Sequence, residues 1–208
     1  MVEFYTEKEM KIIESHINKA FGKSKNVFHE LVSPDIHVDI IVIEPTKKRN
    51  YYTLVTMGMG AHKMNVPPEL ESHKIDRAEV LITLPPDWDL NNNDETYYWP
   101  MRWLKIIARL PIEHNTWIGW GHTIPNGEPF AVNTNLSGML VTMPYFFEEK
   151  SALCKLPNKD VVRFYQLLPL YENEMQYKIE NGTEALEDSF SDDFDMVVNI
   201  NRKNLFEE

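Results

Sequence analysis

Histidine and carboxylate side chains are the residues of this sequence most able to bind a metal ion or transfer protons, and seven histidines are present. His37 and Asp39 are two positions apart, so on a β-strand both side chains would face the same side. Together with His62 and His122, they are the candidate residues for a metal- or ligand-binding site around a pocket. However, no HExxH motif or comparably tight ligand spacing occurs. A metal- or small-ligand-binding enzyme using these four residues is therefore the alternative hypothesis.

Other catalytic signatures are missing from the sequence. It contains no G-x-S-x-G nucleophile elbow. Gly58-Met59-Gly60 follows a predicted strand but lacks the remaining residues of a phosphate-binding loop, so it indicates a turn that ends the strand. The single cysteine, Cys154, lies in the apolar run Ala-Leu-Cys-Lys-Leu, which favours a buried, inert thiol. We therefore predict that the protein is not an enzyme and needs no cofactor.

A group of acidic and phenylalanine residues near the carboxyl end is the strongest candidate for a partner-binding site. Aromatic residues among acids are typical of a protein-binding rim, although ordinary solvated surface is the alternative interpretation. The formal net charge is −11, which disfavours nucleic acid and favours a basic protein partner. The candidate residues are Glu187, Asp188, Phe190, Asp192, Asp193, Phe194 and Asp195.

Apolar periodicity predicts four helices and seven strands. The predicted helices cover residues 7–21, 96–110, 171–181 and 183–190. The predicted strands cover residues 27–31, 37–43, 51–57, 77–84, 116–123, 138–143 and 161–170. Because regular helices do not separate the strands, we expect the α+β class, with a mixed, largely antiparallel sheet flanked by helices. In the strand predicted at 116–123, Trp117 and Trp120 would face opposite sides, with one of them in the core.

The chain of 208 residues is expected to form a single domain in the cytoplasm. The first residues lack the basic and apolar regions of a signal peptide. No apolar run is long enough to predict a membrane span. A single cysteine is also typical of a reducing compartment.

Eight segments of the sequence resemble the bacterial suppressor-of-fused-like domain family. Their order and spacing carry the resemblance, which spans about residues 27–190, and none of them is a catalytic signature. The segments are Val-Asp-Ile (38–40), Tyr-Thr-Leu-Val-Thr-Met-Gly-Met (52–59), Arg-Ala-Glu-Val-Leu-Ile-Thr-Leu-Pro (77–85), Asp-Trp (87–88), Trp-Pro-Met-Arg-Trp-Leu (99–104), His-Thr-Ile-Pro-Asn-Gly (122–127), Phe-Tyr-Gln-Leu-Leu-Pro-Leu-Tyr (164–171) and Glu-Met-Gln-Tyr-Lys (174–178).

The resemblance implies a mixed α/β domain without known catalytic activity. The animal family member binds and restrains a transcription factor in Hedgehog signalling, but it has an additional C-terminal domain, so that role is not transferred. Bacterial relatives are proposed to act as immunity proteins that bind and neutralise polymorphic toxins. The acidic charge suits this role, because many nuclease toxins are basic.

The leading hypothesis is therefore a protein-binding module, namely an immunity protein for a bacterial toxin. We expect no binding to nucleic acid or membranes. A third possibility is a structural subunit that dimerises through an exposed edge strand, so both monomer and homodimer remain open.

Overall fold

The computed structural model describes residues 2–190 and 194–207. Asp192 and Asp193 of the predicted acidic site lie outside these residues. The helices are α1 (Glu7–Ala20), α2 (Glu95–His114), α3 (Glu172–Asn181) and α4 (Thr183–Asp188). The strands are β1 (Asn26–Phe28), β2 (Asp39–Ile43), β3 (Tyr52–Met57), β4 (Ala78–Leu84), β5 (Thr123–Pro125), β6 (Gly138–Thr142), β7 (Leu153–Lys155) and β8 (Val161–Leu170).

The eight strands form one open mixed sheet in the order β1-β2-β3-β4-β8-β6-β5, with β7 also paired to β8. The β4–β8 pair is parallel, and the other described pairs are antiparallel. The predicted hairpin is present, with Asp39 opposite Met57 and Ile43 opposite Thr53. The structure thus confirms an α+β domain with a mixed, largely antiparallel sheet.

Helix α1 covers one face of the sheet. Thr6 caps it and Glu9 accepts a hydrogen bond from the Thr6 backbone N–H, as the predicted capping box requires. Ile13 and Ile17, one helical turn apart, are fully buried and pack in a cluster that includes Phe164 of β8. The predicted amphipathic helix is confirmed.

Helix α2 packs in the main core cluster, on the other face of the sheet. Trp99, Trp103 and Ile107 are buried, and the Trp99 ring stacks on Phe130 at a centroid distance of 4.8 Å. The helix runs four residues beyond its predicted end, to His114. Asn115, in a left-handed conformation at φ 48°, ends it.

Helices α3 and α4 and the chain after residue 194 pack in a third apolar cluster. Leu140, Leu168 and Leu186 are buried in it together with Met196. Leu168 lies four residues after Phe164 on β8, so both side chains face the same side of the sheet. This third cluster therefore lies on the α1 face, further along β8. It fixes α4 against the sheet.

Several further strand or helix predictions differ from the structure. Strand β1 covers Asn26–Phe28 rather than 27–31, and β2 begins at Asp39 rather than at residue 37. The strand predicted at 116–123 is wrong, since β5 begins only at Thr123 and the preceding chain turns at Gly121, where φ is 84°. Trp117 and Trp120 therefore do not alternate across a sheet. Strand β7 was not predicted, and α4 ends at Asp188 rather than residue 190.

Among the described residues, no helix has the length and apolar character needed to cross a membrane.

Candidate functional site

Glu187 is the centre of a small aromatic and acidic surface. Its Oε1 accepts hydrogen bonds from Thr142 Oγ1 at 2.6 Å and Trp120 Nε1 at 3.3 Å. Its Oε2 accepts one from Tyr145 Oη at 3.2 Å. We call Trp120, Thr142, Tyr145 and Glu187 the Glu187 patch.

Four separate segments of the chain position this patch. Glu187 follows the buried Leu186 of α4, and Thr142 is the last residue of β6. Tyr145 lies in the turn after β6, and Trp120 lies in the loop between α2 and β5. This loop is attached to β6 by a hydrogen bond that the Gly121 N–H donates to the Val141 carbonyl. These segments therefore hold the Glu187 carboxylate in a fixed position.

The pKa of the Tyr145 hydroxyl is raised by its burial and by the neighbouring negative charge of Glu187. It stays protonated at neutral pH and continues to donate to the carboxylate. Trp120 is 40% exposed and Tyr145 57% exposed, so both rings remain accessible to a partner.

A groove of about 1060 Å³ lies beside the Glu187 patch. Phe146, next to Tyr145 in the chain, lines it and packs against Tyr51 at a centroid distance of 5.7 Å. The other walls come from the β2–β3 turn, the chain after β4, the start of α2, and residues 194–200. The lining residues are Lys48, Arg49, Asn50, Tyr51, Pro85, Pro86, Asp87, Trp88, Thr96, Tyr97, Asn133, Phe146, Phe194, Asp195, Val197, Val198, Asn199 and Ile200.

The wall formed by residues 194–200 is tied to the sheet. The Val198 N–H donates to the Thr83 carbonyl at 2.9 Å, and Thr83 Oγ1 donates to the Met196 carbonyl at 2.8 Å. The Arg202 guanidinium lies over the Phe194 ring at 5.7 Å. This wall is thus an integral part of the domain.

The five described residues of the predicted acidic site lie on or between these two features. Glu187 is the hub of the patch, and Asp188 is exposed at the end of α4. Phe190 stacks on Phe194 at 4.1 Å, and Phe194 and Asp195 line the groove. The structure brings these residues together, while their binding to a partner stays a prediction.

The four residues of the alternative metal or enzyme hypothesis are only partly brought together. His37 Nε2 lies 3.1 Å from Asp39 Oδ1, whereas His62 Nδ1 lies 3.1 Å from Glu3 Oε1. His122 packs edge-on against Trp117 at 4.3 Å. In the described parts of the chain, no three His, Cys, Asp or Glu side chains converge as metal ligands would. This geometry does not favour the alternative hypothesis.

His122 contributes instead to the pH dependence of stability, together with His16. Burial lowers the pKa of both imidazoles, and Lys178 lowers that of His122 further. Between the lowered pKa and the ordinary value of 6.5, the unfolded chain binds more protons than the folded one. The contribution of the two neutral imidazoles to the free energy of unfolding should therefore be fully present above pH 6.5. It should be lost as the pH falls through the folded-state pKa values.

Urea unfolding at neutral and mildly acidic pH measures this effect. His16→Gln and His122→Gln should each make stability depend less on pH. Stability that rises on acidification through this window would contradict the assignment.

Cys154 is buried at 2% exposure, and burial raises the pKa of its thiol to about 11. This confirms the predicted buried setting. We expect Ellman's reagent to label the native protein slowly at mildly alkaline pH and the urea-unfolded protein rapidly. Fast stoichiometric labelling of the native protein would show that the thiol is reactive.

Sequence reasoning missed Thr142 and Tyr145 as members of the site. Both lie more than forty residues from Glu187 in the chain, and neither belongs to a motif. Trp120 did stand out in the Trp-Ile-Gly-Trp-Gly-His stretch, but we predicted it in a strand. The exposed aromatic residues of that stretch were the available signal.

An open mixed sheet with helices on both faces and an exposed aromatic and acidic surface defines the class of this domain. The model of the family "Suppressor of fused protein (SUFU)" matches residues 34–203. The chain belongs to the suppressor of fused family, which confirms the resemblance found in the sequence. Domains of this family mediate protein–protein interactions and are not known as enzymes.

Comparisons with individual proteins agree with this assignment. An uncharacterised protein of Ureaplasma parvum serovar 3, UU111, is 31% identical over 202 residues, covering 96% of both chains. A structure described as a SUFU homologue from Neisseria gonorrhoeae FA 1090 has a TM-score of 0.71 at 18% identity, covering 96% of this chain and 97% of the other.

Two further solved structures share the fold. A chain of the Sufu–Fu complex has a TM-score of 0.68 at 14% identity, covering 95% of this chain and 92% of that one. Drosophila Suppressor of Fused has a TM-score of 0.67 at 13% identity, but the match covers only 50% of its chain and 96% of this one.

Proposed function

We propose that this chain is a non-enzymatic protein-binding module of the cytoplasm that recognises a basic protein domain. We further propose that it acts as an immunity protein, neutralising a bacterial polymorphic toxin by binding to it. The observation that carries the proposal is the Glu187 patch, set beside an open groove in a domain of a protein-interaction family.

The composition of the patch and groove supports a protein partner. Exposed aromatic rings such as Trp120 and Tyr145 bury large areas at little conformational cost, and such residues are enriched in protein interfaces. The exposed Asp188 adds negative charge next to Glu187, whereas in the groove Lys48 and Arg49 balance Asp87 and Asp195. The groove is open and partly polar, which suits a peptide segment or loop of a partner.

The net charge of −11 supports a basic partner over an acidic one. Complementary charge accelerates encounter and suppresses pairing with acidic proteins. A toxin that cleaves nucleic acid needs a basic surface to approach phosphates, so an acidic binder can cover that surface. Direct binding of this chain to nucleic acid is correspondingly disfavoured.

Capture of the partner in the native host tests the proposal. We expect the tagged chain to retain a basic protein at low salt, to release it as salt rises, and to block the toxic activity encoded by a neighbouring gene. Failure to retain a protein at low salt, together with failure to neutralise that toxin, would overturn the proposal.

Two variants, one within the Glu187 patch and one outside it, sharpen the capture experiment. Trp120→Ala combined with Tyr145→Ala should abolish retention of the partner, because it removes the exposed rings of the patch. Glu14→Gln, at an exposed position on α1, should retain the partner as the unchanged protein does. Equal loss in both would show that retention does not depend on the exposed rings of the patch as a defined interface.

A further inference from the structure

Glu187 differs from the other partly buried glutamates that the structure describes. Glu9 and Glu30 pair with Arg77 and Arg109, as the fully buried Glu174 does with Arg202. Glu44 pairs with Lys25, and Glu3 with His62. No Lys, Arg or His within the described ranges lies within 4 Å of the Glu187 carboxylate. Its hydrogen bonds come from neutral donors, so its negative charge is left without a counter-charge.

The position of Glu187 makes that charge available to a partner. Glu79 also accepts only neutral donors, but its side chain is fully buried. Glu187 is partly exposed and lies between the accessible rings of Trp120 and Tyr145. An uncompensated carboxylate between exposed aromatic rings is the arrangement that recognises an organic cation.

We propose that Glu187, Trp120 and Tyr145 form a receptor for a lysine or arginine side chain of the protein partner. This assignment rests on the proposed function, since it supplies the contact through which a basic partner is recognised. The cation contacts the Glu187 carboxylate and packs its charged group against the aromatic rings.

The hydrogen bonds of the patch leave room for one incoming donor. A carboxylate has about four acceptor positions. Thr142 and Trp120 occupy two on Oε1, and Tyr145 occupies one on Oε2. The remaining position on Oε2 accepts an N–H of the partner, and the neutral bonds hold the carboxylate in place before binding, which lowers the ordering cost.

The surrounding charge selects the occupant. Asp188 follows Glu187 directly and is exposed, so an acidic or phosphorylated segment would be repelled. A purely apolar side chain would bury the carboxylate without pairing it, which is unfavourable. A cationic side chain on an alkyl stem satisfies both the rings and the charge.

Peptide titration observed by NMR tests the receptor directly. The probes are acetyl-Gly-Arg-Gly-amide and the same peptide with neutral citrulline in place of arginine. We expect the Trp120 indole N–H signal, assigned through Trp120→Phe, to shift with the arginine peptide and not with the citrulline peptide. The four remaining tryptophan signals serve as internal references. Equal shifts with both peptides, or none with either, would overturn the proposal.

Matched variants separate recognition from a structural role of Glu187. Glu187→Gln keeps the shape and an acceptor for Thr142 but removes the charge, so the arginine-dependent shift should disappear while the unfolding midpoint in urea is unchanged. Asp188→Asn removes the same charge one residue away and should retain the shift. Loss of the shift in both variants, or retention in both, would contradict a specific receptor.

The captured partner provides a second measurement. Glu187→Gln should weaken its binding at least about tenfold, whereas Asp188→Asn should weaken it only a few-fold. Unchanged affinity of Glu187→Gln would overturn the receptor and leave the proposed function standing. Failure to find any partner would overturn the proposed function, while the peptide titration would still decide the receptor.

Discussion

Replacing Arg202 with alanine should lower the free energy of unfolding by about 3–5 kcal/mol, because it leaves a buried carboxylate without its counter-charge. Glu174 has no exposed side-chain surface and pairs with both terminal nitrogens of Arg202, Nη1 at 2.6 Å. Arg202 also donates to the Pro169 carbonyl and lies over the Tyr171 ring at 4.8 Å. Since domains are stable by only about 5–15 kcal/mol, this loss is severe.

Urea unfolding of matched variants measures the effect. Arg102→Ala breaks a partly exposed pair with Glu95 and should cost no more than about 1 kcal/mol. Replacing both Glu174 and Arg202 with methionine removes both charges and should recover part of the loss. If Arg202→Ala costs no more than Arg102→Ala, the buried pair does not hold the carboxyl end of the chain.

Replacing Glu79 with methionine should also cost about 3–5 kcal/mol, because it leaves buried donors without an acceptor. Glu79 Oε1 accepts from Tyr5 Oη at 2.6 Å and from the N–H groups of Gly58 and Gly60 at 2.9 and 3.2 Å. Thr56 Oγ1 donates to Oε2 at 2.6 Å, although it can also reach the Val80 carbonyl.

The pKa of Glu79 reflects this setting. Burial raises it above the ordinary value, and the four hydrogen bonds oppose that shift. Losing the charge recovers part of its desolvation cost, but each orphaned donor costs about 1–3 kcal/mol, so the net effect is destabilising. Thermal or urea unfolding should rank Glu79→Met well above Tyr5→Phe, which removes a single bond and should cost about 1 kcal/mol. The reverse ranking would contradict the acceptor role of Glu79.

The elements that depend on local signals could be predicted from the sequence. Thr6 and Glu9 are three residues apart, so the start of α1 is set within one turn. The β2–β3 hairpin follows from two β-branched runs around a short polar turn. Gly58 ends β3 as predicted, at φ 136°, where an added Cβ would lie 1.8 Å from the His37 carbonyl oxygen.

Features that depend on distant contacts could not be predicted in the same way. The parallel pairing of β4 with β8 joins Ala78 to Arg163, and no local pattern specifies it. Strand β7 has three residues and is defined only by its pairing with β8. The segment before β5 is apolar enough for a strand, but Gly121 turns it, so periodicity alone gave the wrong element there.

The candidate site shows the same division. The sequence shows that acidic residues and phenylalanines are concentrated near residue 190. The structure places those members of the group that it describes around one surface. Trp120 and Tyr145, which donate hydrogen bonds to Glu187, lie 67 and 42 residues before it in the chain. Only the fold brings them together, so the shape of the patch was outside the reach of sequence reasoning.

The location of the interface is tested most directly by hydrogen–deuterium exchange of the protein alone and in complex with its captured partner. Binding at the Glu187 patch and groove should slow exchange in peptides covering residues 117–123, 140–147 and 183–200. Peptides covering α1 and β1, residues 7–28, should exchange at the same rate in both states. Protection confined to residues 7–28, with the Glu187 patch unchanged, would contradict the proposed binding surface.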